Sequence, residues 1–468
     1  MRKLFFLLLA ATLGQAAHAQ SKVFNQIAGA IRTDLSEISQ NRKVVGYVRL
    51  IQLEKASKDV YNYELNIMDE NLNDISTAKF SDGYLTLNDV AFEQDIICVS
   101  FLKGSTETSL YFVSLEGKVN KIQTIESKLT SKGVTKNLPG VGFVYHKRAK
   151  DFSLIAFDPS GKKIWEKSLE REAYNLAATP KMIAYYDFSK AKSINLINSA
   201  DGKSFYSKEL EVNKNFSHQF TGTQVYGDTI YYSGSISPFN KYGKGMQFKN
   251  LKKGYQKGVI VVKAWAPNNQ GVKITETSWQ QGEISDITKV AGNPDNKKEN
   301  YLFENSVTSN DGTTYFLAEN VMRKPRIGLV ASTVILSPFL FISPILASSG
   351  YNKYYYTDAT IFKLTPNNRF SRVNTVSQKR SSKNFAKEFV SPGYTRNIID
   401  EEGTQPYFVG GDADNINITN ISTKKTKYIP RKSANISSSI YPAKEGHFML
   451  VESNSASKSV KLSIVPLQ

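Results

Sequence analysis

Cations interleaved with aromatic rings are the side chains in this sequence best placed to do chemistry. Residues 236–258, ISPFNKYGKGMQFKNLKKGYQKG, carry Lys241, Lys244, Lys249, Lys252, Lys253 and Lys257 among Phe239, Tyr242, Phe248 and Tyr255. Ammonium groups neutralise an anion while neighbouring rings stack on a sugar or insert beside a head group, so the pattern points to recognition rather than bond breaking. A second segment, 321–356, opens on Arg323-Lys324-Pro325-Arg326, continues as the uncharged run 327–347 and leaves through Tyr351-Asn352-Lys353-Tyr354-Tyr355-Tyr356. Ile335, Leu336, Phe339, Leu340, Phe341 and Ile342 form its apolar centre. The run is long enough to cross a bilayer. Pro338 and Pro344 interrupt it, however, and Arg323, Lys324 and Arg326 on one side balance Lys353, Lys363 and Arg369 on the other, so charge gives no orientation. Its basic entrance and tyrosine-rich exit suit either interfacial docking or packing on the protein's own surface.

Catalytic and metal chemistry find little to work with. Past the N-terminal segment only His146, His218 and His447 remain, far apart and without metal-ligand spacing. A serine nucleophile would need one of them and lacks a glycine-flanked elbow. Asp412, Asp414, Asn415 and Asn417 in GGDADNIN offer oxygen ligands of the kind calcium takes. Ile416 stands where a ligand belongs and no later glutamate completes the loop, so a polar turn is expected there. The lone Cys98, inside the apolar stretch DIICV, cannot form an intrachain disulfide and reads as a buried strand residue. No metal, cofactor or catalytic residue is expected. The rival enzyme reading is a glycan lyase or hydrolase whose carboxylates would converge in a central funnel.

Arg2 and Lys3, the apolar core that follows and Ala17-His18-Ala19 form a secretory signal over residues 1–19, with no cysteine placed for a lipid anchor. The expected location is therefore the periplasm or the cell surface. Removing Arg2 and Lys3 from the 60 basic residues leaves 58 against 42 acidic ones, a formal charge of +16. A surplus of that size favours an anionic envelope lipid or glycan, or an acidic envelope protein, and export argues against nucleic acid.

The elements that must position these residues are strands. A unit of strand, polar link, strand, Gly- or Asn-containing turn and strand recurs eight times, with YELNIMDENLNDIST, SLYFVSLEGKVNKIQ, FSLIAFDPSGKKIWEKSL and SINLINSADGKSFYSKEL as its first four cores. The turns near Asn71, Gly117, Gly161, Gly202, Gln270 and Asn368 recur at a period that predicts an all-β chain folded as a β-propeller of seven or eight blades, with tandem β-sandwiches as the alternative. Residues 20–43 read as a lead-in and 44–468 as one propeller domain with insertions at 236–258 and 321–356.

Ala156, Asp158, Gly161 and Trp165 in LIAFDPSGKKIWEKSL resemble the tryptophan-docking repeat of quinoprotein-type propellers, in which a tryptophan packs between neighbouring blades. The resemblance is local. Phe205 and Tyr206 replace the tryptophan in the next copy, and a single cysteine rules out the vicinal pair of the quinone-using enzymes. More loosely, the chain looks like exported bacterial propellers of unknown function.

The links between the first and second strands are lysine-bearing in four units: Lys55 to Asp59, Lys103 to Thr106, Lys147 to Asp151 and Ser189 to Ser193. The two insertions expand this same link in the fifth and sixth units. If the units are equivalent, all six links leave one face of the disc. The function expected is therefore a non-enzymatic binding or scaffold propeller that docks through a basic, partly apolar face.

Overall fold

The computed structural model describes residues 20–24, 32–40, 43–104, 107–126, 134–149, 151–187, 192–210, 216–238, 258–265, 271–278, 301–325, 352–376, 380–382, 394–400, 402–411, 415–431, 436–454, 456–457 and 459–467. Eight antiparallel sheets of consecutive strands make an eight-bladed β-propeller. We number the blades along the chain and letter their strands a to d from the axis outward. The inner strands are Arg32–Gln40, Leu85–Glu93, Val134–Leu138, Ala173–Ala178, Phe216–Tyr226, Tyr301–Thr308, Tyr394–Ile399 and Ile436–Pro442. From blade 1 to blade 8 each lies against the next. The count settles at eight, and sheets that meet side by side around an axis replace the sandwich alternative.

Residues 20–43, set apart as a lead-in by sequence, contain two strands of the propeller. Ser21–Phe24 pairs with the last strand, Ser459–Pro466, in register Ser21↔Ser463 to Phe24↔Val460, and so becomes strand d of blade 8. Arg32–Gln40 is strand a of blade 1. The two ends of the chain thus share a sheet and close the ring. Val44, Tyr47, Met68 and Leu72 of blade 1 pack there against Met449, Leu462 and Ile464 of blade 8.

Burial explains which strands form and where. Strands b and c are covered on both faces by neighbouring blades, so they are continuous apolar runs: IICVSFLK in Ile96–Lys103 and GVIVVKAW in Gly258–Trp265 are buried almost throughout. Outer strands alternate, as Lys163–Leu169 does, because one face is wet. Adjacent inner strands are further clasped by side chains. Asp89 Oδ2 accepts the Thr135 N–H at 2.9 Å, Glu93 Oε1 accepts the Gly140 N–H at 2.9 Å, and Gln224 Oε1 accepts the Thr308 N–H at 3.1 Å.

The c–d turns repeat one construction. The last residue of strand c or the one after it caps the turn with its side chain: Asp69 Oδ1 accepts from the Asn73 N–H, Asp158 Oδ1 from Lys162 and Thr365 Oγ1 from Arg369. A left-handed residue follows, Gly117, Gly161, Gly202 or Asn368 as expected. In blade 1 that position is Leu72 rather than Asn71; its side chain is buried in the seam, which offsets the backbone cost.

Candidate docking face

In an antiparallel blade, every b–c link and every d-to-a connection emerges at one face, and every a–b and c–d turn at the other. Strand b joins strand c through residues 58–59, 104–106, 149–151 and 188–192 in blades 1 to 4, so Lys55, Lys103, Lys147 and Arg148 belong to the end of strand b, Lys58 and Lys192 to the links, and Lys150 and Lys190 lie outside the described residues. Residues 239–257 join Thr229–Pro238 to Gly258–Trp265 in blade 5, and residues 326–351 join Thr314–Pro325 to Asn352–Leu364 in blade 6. Both insertions therefore start and end on one face, in adjacent blades. The segment 412–414 occupies the same link in blade 7.

The lysine row is less uniformly basic than its sequence implies. Lys103 Nζ lies 2.9 Å from Asp82 Oδ1, and Asp82 also accepts the Tyr111 hydroxyl at 2.6 Å. Arg148 Nε lies 2.9 Å from Glu172 Oε1, with the Tyr174 ring beside the guanidinium. Lys55 Nζ donates to the Lys58 carbonyl at 3.2 Å and sits 5.4 Å from the centre of the Tyr61 ring. Two of these cations are thus neutralised within the face.

Of the residues singled out there, Lys241, Lys244, Lys249, Lys252, Lys253, Lys257 and Arg326, and Ile335, Leu336, Phe339, Leu340, Phe341 and Ile342, lie outside the described residues. What is described is the root of the blade 6 insertion. Residues 321–325 and 352–356, assigned to the insertion by sequence, instead continue strands b and c as a hairpin stem, with Arg323 opposite Tyr354, Lys324 opposite Lys353 and Pro325 opposite Asn352. A third strand, Arg380–Ser382, pairs with the same stretch, Arg380 facing Tyr356. The stem is thus three-stranded and holds Arg323, Lys324, Lys353 and Arg380 with no acidic residue in register. Sequence reasoning missed Arg380, which lies beyond residues 377–379 and carries no strand pattern of its own.

A family model described as a family of unknown function (DUF6770) matches residues 1–137. No curated protein matches the chain. Among solved structures, BamB from Moraxella catarrhalis is similar over 94% of this chain and 97% of its own, at 8% identity and TM-score 0.42. The Dos1 propeller covers 95% of each chain at 10% identity and TM-score 0.46, and the WD40 domain of SCAP from fission yeast 96% and 98% at 10% identity and TM-score 0.44.

The histidines lie apart. Burial, with Arg148 nearby, pushes His146 down to about 3; burial, with Lys192, pushes His218 down to about 4. Among the described residues no three His, Cys, Asp or Glu side chains are grouped to hold a metal. Asn415 and Asn417 are strand residues of blade 7, whereas Asp412 and Asp414 lie outside the described residues. Cys98 is fully buried, and its thiol is raised far above the ordinary range by burial, which makes it inert.

Proposed function

We propose that this chain is an exported, non-enzymatic binding propeller that docks by its b–c face on an anionic envelope surface, the head groups being lipid or glycan. One observation carries the reading: the Lys-aromatic link and the apolar link root side by side, in blades 5 and 6, on the face that also bears the lysine links of blades 1 to 4. The roles assigned are charge neutralisation by Lys249, Lys252, Lys253, Arg323, Lys324 and Arg326, and insertion by Phe339, Leu340 and Phe341. The stem supports this by placing Arg323, Lys324, Lys353 and Arg380 on paired strands at the foot of the apolar run. The signal-like residues 1–19 support export.

Flotation of the mature protein with vesicles tests the reading. The expected result is co-flotation with phosphatidylglycerol-containing vesicles, loss on pure phosphatidylcholine, and weakening by salt. Deleting residues 329–347 should abolish retention at high salt while leaving the low-salt electrostatic component. Binding that ignores anionic lipid and also survives the deletion refutes lipid docking; a protein partner would then be sought by crosslinking in the envelope.

A further inference from the structure

The seam where the ring closes holds a half-open cavity of about 350 Å³ between blades 8 and 1. That is within the range of roughly 300–1,000 Å³ in which small-molecule sites fall. Its inner end is formed by three consecutive inner strands, through Ser439 of blade 8, Ser36 of blade 1 and Asn88 of blade 2. Its outer end reaches Phe24 on the closing strand.

Arg49 enters this space from the middle of Lys43–Ser57. It is only 6% exposed, and its neighbours on the same side of the strand, Tyr47 and Ile51, are buried and mainly apolar. Its guanidinium carbon lies 3.8 Å from the centre of the Phe24 ring. Among the described residues it has no hydrogen-bond or ion-pair partner. The carboxylate whose field reaches it, Asp74, is already bound to Lys22 Nζ at 2.6 Å. A guanidinium does not give up its proton at ordinary pH. Held largely out of water without a protein partner, it costs stability that an apolar residue in its place would not.

The surroundings define what would offset that cost. Stacking on Phe24 uses the flat face of the guanidinium and leaves its in-plane N–H donors for a planar or tetrahedral oxyanion. Tyr441 and Ser453 also line the wall, while Ser36 Oγ donates to the Glu37 carbonyl at 3.5 Å and Asn88 Nδ2 to Ser100 Oγ at 3.1 Å. Asp34 also stands on the wall, accepting the Leu87 N–H at 3.4 Å, and its charge disfavours a ligand with several anionic groups. Leu35, Val451 and Leu462 supply an apolar side.

We propose that this cavity binds a small organic acid bearing a single carboxylate or phosphate, its head on the edge of Arg49 and its hydrocarbon part against Leu35, Val451 and Leu462. The site is separate from the docking face of blades 5 and 6, and neither proposal depends on the other. Isothermal titration of the mature chain with hexanoate and with hexyl phosphate, against hexanol and hexylamine at matched ionic strength, tests it. Saturable one-site binding is expected for at least one anion and for neither control, and the anion that binds identifies the head group. Arg49→Gln should weaken that binding roughly tenfold or more. Val451→Phe, which fills the cavity with Arg49 in place, should abolish it and decides the matter if the first variant does not fold. Absence of saturable binding by both anions, or undiminished binding in either folded variant, would overturn the proposal.

Discussion

Trp165 joins two blades through one side chain. Its indole N–H donates to the Ser199 carbonyl at 2.9 Å, and its ring covers Gly202 in the c–d turn of the next blade. A Cβ at Gly202 would come within 2.7 Å of that ring, and the backbone there has φ +70. Gly202→Ala should therefore cost on the order of 2 kcal/mol, read as a shift in urea midpoint at unchanged slope. The buried histidines set the acid limit at the same scale. His146 and His218 stay neutral in the fold, while the unfolded chain takes up protons near 6.5. Stability from this source is complete above pH 6.5 and is lost as pH falls from there towards 4, by about 1.4 kcal/mol per pH unit per histidine. The double variant His146→Gln/His218→Gln should flatten the urea midpoint against pH over that window, whatever its stability at neutral pH.

Single strands account for ring closure and for the blade 6 stem. Deleting residues 20–24 removes strand d of blade 8 with its four register pairs and exposes part of the seam. The expected loss is on the order of 2–4 kcal/mol, with the full-length chain as reference in the same denaturant titration. In the blade 6 stem, Lys353→Glu, at the register position opposite Lys324, should weaken flotation with anionic vesicles. The strands also explain what could be read from sequence. Strands b, c and d were legible because two-sided burial writes unbroken apolar runs and one-sided burial writes alternation. The inner strands were not: five of them carry a β-bulge, at Leu87/Asp89, Tyr174/Ala177, Phe220/Gly222, Phe303/Asn305 and Tyr394/Arg396, which breaks the period of two. A three-strand unit was visible where four strands exist, and Ser21–Phe24 is too short to announce itself.

At the scale of the whole molecule, the chain order of links became a spatial statement. The position of both insertions between strands b and c could be read from sequence because hairpin polarity needs only the order of strands. The neutralisation of Lys103 by Asp82 and of Arg148 by Glu172 could not, since each pairs residues brought together from separate strands or neighbouring blades. Nor did the apolar run VVGYVRLIQL mark Arg49 as a residue facing a cavity at the seam. The central claim is that one face binds, not that the protein is merely cationic. Its most direct test compares two double variants of equal charge change: Lys252→Glu/Lys253→Glu in the blade 5 link, and Lys424→Glu/Lys425→Glu in the blade 7 c–d turn on the opposite face. In flotation with phosphatidylglycerol vesicles, the first pair should lose most binding while the second stays near wild type. Equal losses in the two would contradict a docking face and leave only net charge.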